Sequence, residues 1–220
     1  MDGITITRVS ETKKGRMALF CGEEFLFSLD EETYHFYPVA EGQTLSAPEL
    51  EKLRLLSETR KAKDKALTYL GMREYGSAEL YDKLRLKFDE HSAAAAVARM
   101  EELGLLDDEA FALHRAQGLK AKKKSRREAD RLLAEKGLDR DTIQAALDQV
   151  YQDGDEEEAL RSLIQRQYAR KLSQGKRDAV WAALARRGFS ARKIRAALAE
   201  WQGRQETPEE DETDTGWEFP

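Results

Sequence analysis

The residues of this chain best suited to chemistry are cations. Lys120, Lys122, Lys123, Lys124, Arg126 and Arg127 put six positive side chains into eight residues. Lys120, Lys124, Arg127 and Arg131 are spaced by 4, 3 and 4, so they share a face if one helix runs through them. A second group follows: Arg166, Arg170 and Lys171, then Lys176 and Arg177, then Arg186 and Arg187, and last Arg192, Lys193 and Arg195. Residues 159–205 hold 12 basic and 2 acidic side chains, a local charge of +10, with Asp178 and Glu200 the only opposing acids within that stretch. Cations at this density bind phosphate oxygens without regard to base sequence, and such binding weakens as salt rises. The expected partner is therefore anionic. The plainer alternative is a solvated helical face whose Lys and Arg complement helix C-termini.

No catalytic constellation accompanies them. Asp107, Asp108 and Glu109 form an acidic triplet, but acids there suit the start of a helix, where they cap free N–H groups and oppose the dipole. Asp153 to Glu158 reads the same way. His35, His91 and His114 are far apart and lack ligand spacing, and His114 reads as a core-edge residue. A single cysteine, Cys21, excludes a disulfide framework and a thiolate zinc cluster and reads as a small buried hydrophobe. Tyr69, Phe111, Trp181, Phe189 and Trp201 fall at helical or turn spacing and read as core. The glycines sit singly at helix ends rather than in a phosphate loop. No metal, cofactor or enzymatic activity is expected.

The net charge of −5 over 220 residues conceals segregation. The +10 stretch is preceded by five acids in residues 153–158 and followed by seven acids and no base in residues 206–220. No apolar run approaches a membrane span. Met1-Asp2-Gly3-Ile4 lacks a signal-peptide pattern, so a reducing cytoplasmic location is expected.

Two kinds of element must position these residues. Residues 1–45 read as a small β-rich domain. Ile4–Thr7 alternates, Met17–Phe20 and Phe25–Leu29 are short apolar runs, and Tyr34–Tyr37 is a further candidate strand. Gly15, Gly22 and Asp30-Glu31-Glu32 punctuate them as turns. At Ser46-Ala47-Pro48-Glu49 a capping box opens a connecting helix over 46–60. Three related units then follow, at 61–106, 107–152 and 153–204. Lys136-Gly137-Leu138-Asp139 matches Arg187-Gly188-Phe189-Ser190, and four residues after each cap come Ile143-Gln-Ala-Ala-Leu147 and Ile194-Arg-Ala-Ala-Leu198. The first unit has Lys87 where the others have glycine, with Asp89 as its cap. The spacing predicts a mainly α chain: three tandem three-helix, helix-turn-helix-like repeats forming an elongated, curved array after a small antiparallel β segment. The acidic stretch 205–220 reads as a disordered tail able to shield the basic surface in cis.

Three stretches in this order resemble the RecX family, regulators of the RecA recombinase. They are Ala66–Leu84, which includes Arg73, Ser77, Glu79 and Leu80; Leu103–Ala112, with Gly104, Asp107, Asp108 and Phe111; and Leu184–Ile194, with Gly188 and Phe189. Ser125–Ala129 departs from the family pattern, where a glycine and an isoleucine are usual. The resemblance implies a non-enzymatic protein, acting as a monomer. Such a protein binds the RecA–DNA filament along its groove and lowers its ATPase and strand exchange, and with them recombination, DNA repair and the SOS response. Some members act on filaments differently. Two rival readings of the same residues are a helix-turn-helix transcriptional regulator and a protein-only helical scaffold. Against the first, the cations crowd helix junctions rather than one recognition helix.

Overall fold

The computed structural model describes residues 3–206. It is mainly helical, with a small antiparallel strand segment at the N-terminus. The chain forms two compact units. One runs up to Phe111 and also takes in Lys136–Leu138; the other comprises Ala112–Glu135 and the chain from Asp139 onward.

The first unit opens with strands β1 (Ile4–Thr5), β2 (Arg8–Glu11), β3 (Met17–Cys21) and β4 (Glu24–Leu29), helix α1 (Glu31–Phe36) and strand β5 (Thr44–Leu45). β2, β3 and β4 form an antiparallel meander, and β1 pairs antiparallel with β5, Ile4 opposite Leu45. The strand expected at Tyr34–Tyr37 is instead the end of α1. Asp30, expected in a turn, caps that helix by accepting the Thr33 N–H at 3.1 Å, with Glu31 and Glu32 in the first turn. Capping outweighs the β-preference of three aromatics when no partner strand is at hand.

The segment is fastened to the helical part of its own unit. Ile6, Leu19, Phe27, Leu29, Val39 and Leu45 share one buried cluster with Leu53 of helix α2 (Ala47–Leu70). Arg16 reinforces the joint: Nη2 donates to the Ser28 carbonyl at 2.7 Å and to Ser57 Oγ at 3.1 Å. α2 begins as the capping box requires, with Glu49 accepting from the Ser46 N–H at 2.8 Å. It runs through residues 60 and 61 without a break, since no Gly or Pro follows Pro48 before its end. Helices α3 (Ser77–Arg85) and α4 (Glu90–Glu102) pack with it around Ala62, Ala66, Leu80, Leu84, Ala93, Ala96 and Met100.

Helix α5 (Asp108–Ala121) carries the chain into the second unit. There α6 (Arg126–Ala134) and α7 (Arg140–Val150) bury Ala129, Leu133, Ile143, Ala146 and Leu147. α8 (Asp155–Leu163) passes through a π-helical turn, Ile164–Tyr168, into α9 (Ala169–Ser173). α10 (Arg177–Ala185) and α11 (Ala191–Glu206) close a core of Leu160, Leu163, Ile164, Val180, Leu184, Phe189, Ile194 and Leu198. Asp89, Asp139 and Ser190 cap α4, α7 and α11 through the backbone N–H three residues on. Among the described residues no helix is long and apolar enough to cross a membrane. The tail expected from residue 207 lies outside the described residues.

Candidate polyanion-binding surface

The basic run 120–127 is not one helix. α5 ends at Ala121, and the Lys123 N–H turns back to the Lys120 carbonyl at 2.8 Å while Lys124 N–H reaches the Leu119 carbonyl at 3.1 Å. This is a Schellman ending, which wants glycine at its left-handed position. The same pair of bonds ends α4 at Gly104 (φ 66°) and α9 at Gly175 (φ 73°). Here the position is Lys123, φ 55°, the one non-glycine among the described residues with positive φ. The continuous face expected for Lys120, Lys124, Arg127 and Arg131 is thus interrupted, because the chain must turn to start α6 from its Ser125 cap.

The turn delivers part of the cluster onto acids. Lys120 Nζ meets Asp155 at 2.5 Å and the Val150 carbonyl at 2.8 Å. Arg126 binds Asp148 at 2.6 Å, and its backbone N–H donates to Glu156 at 2.8 Å. Lys193 lies 2.9 Å from both Glu156 and Glu157. Lys124 pairs with Glu128, and Arg131 with Glu128 and Glu135. The acidic run 153–158, expected to serve only its own helix start, is therefore also an internal counter-charge. Its titration reflects this. The hydrogen bond from Lys120 holds Asp155 below the usual carboxylate range, and Lys193 does the same for Glu157. Burial works against the charge of Lys193, yet the two glutamates hold its pKa above normal. Tyr151, buried beside Glu156 and Asp155, is pushed up to about 12 and donates its hydroxyl to the Lys124 carbonyl at 3.2 Å.

Twelve of the seventeen cations singled out from the sequence make no ion pair: Lys122, Lys123, Arg127, Arg166, Arg170, Lys171, Lys176, Arg177, Arg186, Arg187, Arg192 and Arg195. All twelve belong to the second unit, and ten are exposed, Lys123 and Arg187 being half-buried. Arg187 joins the two sequence clusters: Nη1 donates to the Lys122 carbonyl at 2.7 Å, and its own carbonyl accepts the Ser125 N–H at 3.0 Å. Arg177 donates to Gln202 at 2.8 Å, and Lys171 stands 5.9 Å over the Tyr168 ring. Free cations in this number, on a unit whose acids are already engaged, are what a phosphate backbone or an acidic protein surface would meet.

The family-motif residues are structural joints. Arg73 grips Glu79 with two bonds of 3.0 Å, and Lys136 reaches the same carboxylate at 2.6 Å. Burial opposes the Glu79 charge, but these cations win and hold its pKa at about 2. Asp107 caps α5 through the Ala110 N–H at 2.9 Å, and Asp108 accepts the Ser77 N–H at 2.8 Å, so the acidic triplet is a capping device. Leu80, Phe111 and Phe189 are buried. Two glycines approach their neighbours closely: a Cβ on Gly137 would lie 2.5 Å from the Ala78 Cβ, and one on Gly188 would lie 2.3 Å from Ser125 Oγ. Tyr69 is core, and Trp181 and Trp201 pack partly buried against the last cluster. Two expectations fail. His114 is exposed because α5 turns it away from the core, and Cys21 is half-exposed because β3 ends there at the Gly22 turn. No group of acids, His and Cys that could hold a metal occurs among the described residues.

Comparison with known proteins now fits this geometry. A family model described as the first three-helix domain of RecX matches residues 62–100. The protein named regulatory protein RecX in Listeria innocua is 28% identical over 204 residues, 90% of this chain and 75% of that protein. Its namesake in Caldanaerobacter subterraneus is 26% identical over 163 residues, 73% of this chain and 83% of that protein. In Lactobacillus delbrueckii the identity is 35% over 148 residues, 66% of this chain and 55% of that protein. A crystal structure of regulatory protein RecX superposes with a TM-score of 0.64 at 19% identity, covering 89% of this chain and 98% of the other, a likeness of fold. These findings define a mainly helical protein of the three-helix-domain class. The chain belongs to the RecX family, whose named members are regulatory proteins.

Proposed function

We propose that this protein binds the RecA–DNA filament and lowers its ATPase and strand exchange, without catalysing a reaction itself. The observation that supports this reading best is the set of twelve cations without acid partners, all in one unit, in a chain whose net charge is −5. They suit contacts with filament DNA or with acidic protein surface, non-specific in sequence and sensitive to salt. Family membership supports RecA as the protein partner. The site residues proposed for contact are those free cations, above all Lys122, Arg186, Arg192 and Arg195. The protein acts as a monomer in this reading and needs no cofactor.

The test is the single-stranded-DNA-dependent ATPase of the cognate RecA, titrated with this protein at fixed salt. A fall at sub-stoichiometric protein is expected. Reversing Lys122, Arg186, Arg192 and Arg195 to glutamate together should weaken inhibition at least ten-fold with helicity unchanged. Inhibition equal to the unmodified protein would overturn the role given to these side chains. No inhibition by the unmodified protein would overturn the reading itself.

A further inference from the structure

We infer that the acidic stretch from Glu206 to Asp214 docks in cis on the basic corner formed by α9 and the start of α10, and competes there with a polyanion. The competition rests on the function proposed above; the docking does not.

Two joints in the chain show the pattern. The first N–H of α3, at Ser77, is accepted by Asp108, and the first N–H of α6, at Arg126, is accepted by Glu156. In each case the acid lies in the first turn of the helix that opens the next unit: α5 after α3 and α4, and α8 after α6 and α7. With that acid in place, the residue before the helix is extended: Gly76 at φ −78°, ψ 159° and Ser125 at φ −70°, ψ 160°. α10 is the corresponding helix of the last unit, and no described residue supplies the acid. Its leading residue, Lys176, sits instead at φ −84°, ψ 47°, and the Arg177 N–H folds back on the Gly175 carbonyl at 2.9 Å.

The sequence places acids where the missing partner belongs. Acidic runs stand at 107–109 and 153–158, each following the last helix of a unit. After α11 the next acids are Glu206, Glu209, Glu210, Asp211, Glu212 and Asp214. Reach is not a difficulty. Gln202 of α11 already accepts the Arg177 guanidinium at 2.8 Å, so the chain leaves α11 about one helical turn, roughly 5 Å, beyond the start of α10. Charge agrees as well. Arg166, Arg170, Lys171, Lys176 and Arg177 line this corner without an ion pair, against the lone Asp178. A stretch with several carboxylates fits there for the reason that Asp155, Glu156 and Glu157 fit Lys120, Arg126 and Lys193.

The experiment uses the full chain and a full-length variant carrying Glu209→Gln, Glu210→Gln, Asp211→Asn, Glu212→Gln and Asp214→Asn. Amide hydrogen exchange at residues 176–180 is compared at low salt, together with binding of a fluorescent oligothymidylate. Docking predicts exchange at least three-fold faster in the variant at these amides, with residues 140–150 unchanged as an internal control, and oligothymidylate affinity at least three-fold tighter. Equal exchange in the two chains overturns the docking, whatever the oligonucleotide does. Faster exchange with equal, measurable affinity in both chains upholds the docking and overturns the competition. Faster exchange with no oligonucleotide binding by either chain upholds the docking and counts against the polyanion reading of the basic surface.

Discussion

Lys123 holds a conformation that its side chain disfavours. The left-handed region costs a non-glycine residue roughly 1 kcal/mol relative to glycine, and the equivalent position at the end of α9 is Gly175. Lys123→Gly is therefore expected to stabilise the protein by about 1 kcal/mol, seen as a higher urea midpoint at unchanged slope. A destabilised variant would mean that the Lys123 side chain contributes more than its backbone costs. Glu79 makes an opposite case, a favourable charge with a pH signature. Its folded pKa of about 2 lies below the ordinary 4.5, so the unfolded chain takes up the proton first. The stabilisation is complete above pH 4.5 and is lost as pH falls from there towards 2. Unfolding free energy should drop over that window in the native protein, and Glu79→Gln should lower stability near pH 7 by about 2 kcal/mol while flattening the acid limb. An acid limb equally steep in the variant would place the titration on other carboxylates, such as Asp89, which is also held at about 2.

At the level of the element, punctuation was the most legible part of the sequence. The caps at Asp89, Asp139 and Ser190 and the capping box at Ser46 stand where residue type alone puts them, because each motif is satisfied within four residues. The β segment was less legible. β5 has two residues, and α1 passes for a strand when its aromatics are weighed without the Asp30 cap. Short strands are defined by partners far off in the chain, such as Ile4 with Leu45, and no local pattern announces them. The glycines separate local from tertiary demands. Gly137, Gly154 and Gly188 all have positive φ, near 80–90°, but only Gly137 and Gly188 also face a neighbour inside 3 Å; nothing stands within 4 Å of Gly154. Gly154→Ala should cost about 1 kcal/mol from backbone strain alone, and Gly137→Ala and Gly188→Ala at least about 3 kcal/mol. Thermal unfolding of the three variants decides this, and equal losses would refute the distinction.

Across the whole molecule, counting charges from the sequence found the cations but not their state. Seventeen looked alike because the acids that engage five of them come from elsewhere in the chain: Asp148, Asp155, Glu156 and Glu157, along with Glu128 and Glu135 inside the run. Charge per segment cannot show this, since pairing depends on how α6, α7, α8 and α11 meet. The distinction yields the sharpest test of the surface. Reversing Arg166, Arg186 and Arg195 to glutamate removes cations that hold nothing in the fold. Unfolding free energy should stay within about 1 kcal/mol, while the dependence of log K on log salt for single-stranded DNA should lose up to about 2 units of slope, near 0.7 for each phosphate contact removed. Reversing Lys120, Arg126 and Lys193 instead sets like charges against Asp155, Asp148 and Glu156. Stability should then fall by about 2 kcal/mol or more, with a smaller change in slope. If both triples altered the slope alike at equal stability, the internal pairing would not restrict which cations reach a polyanion, and all seventeen would have to be treated as one surface.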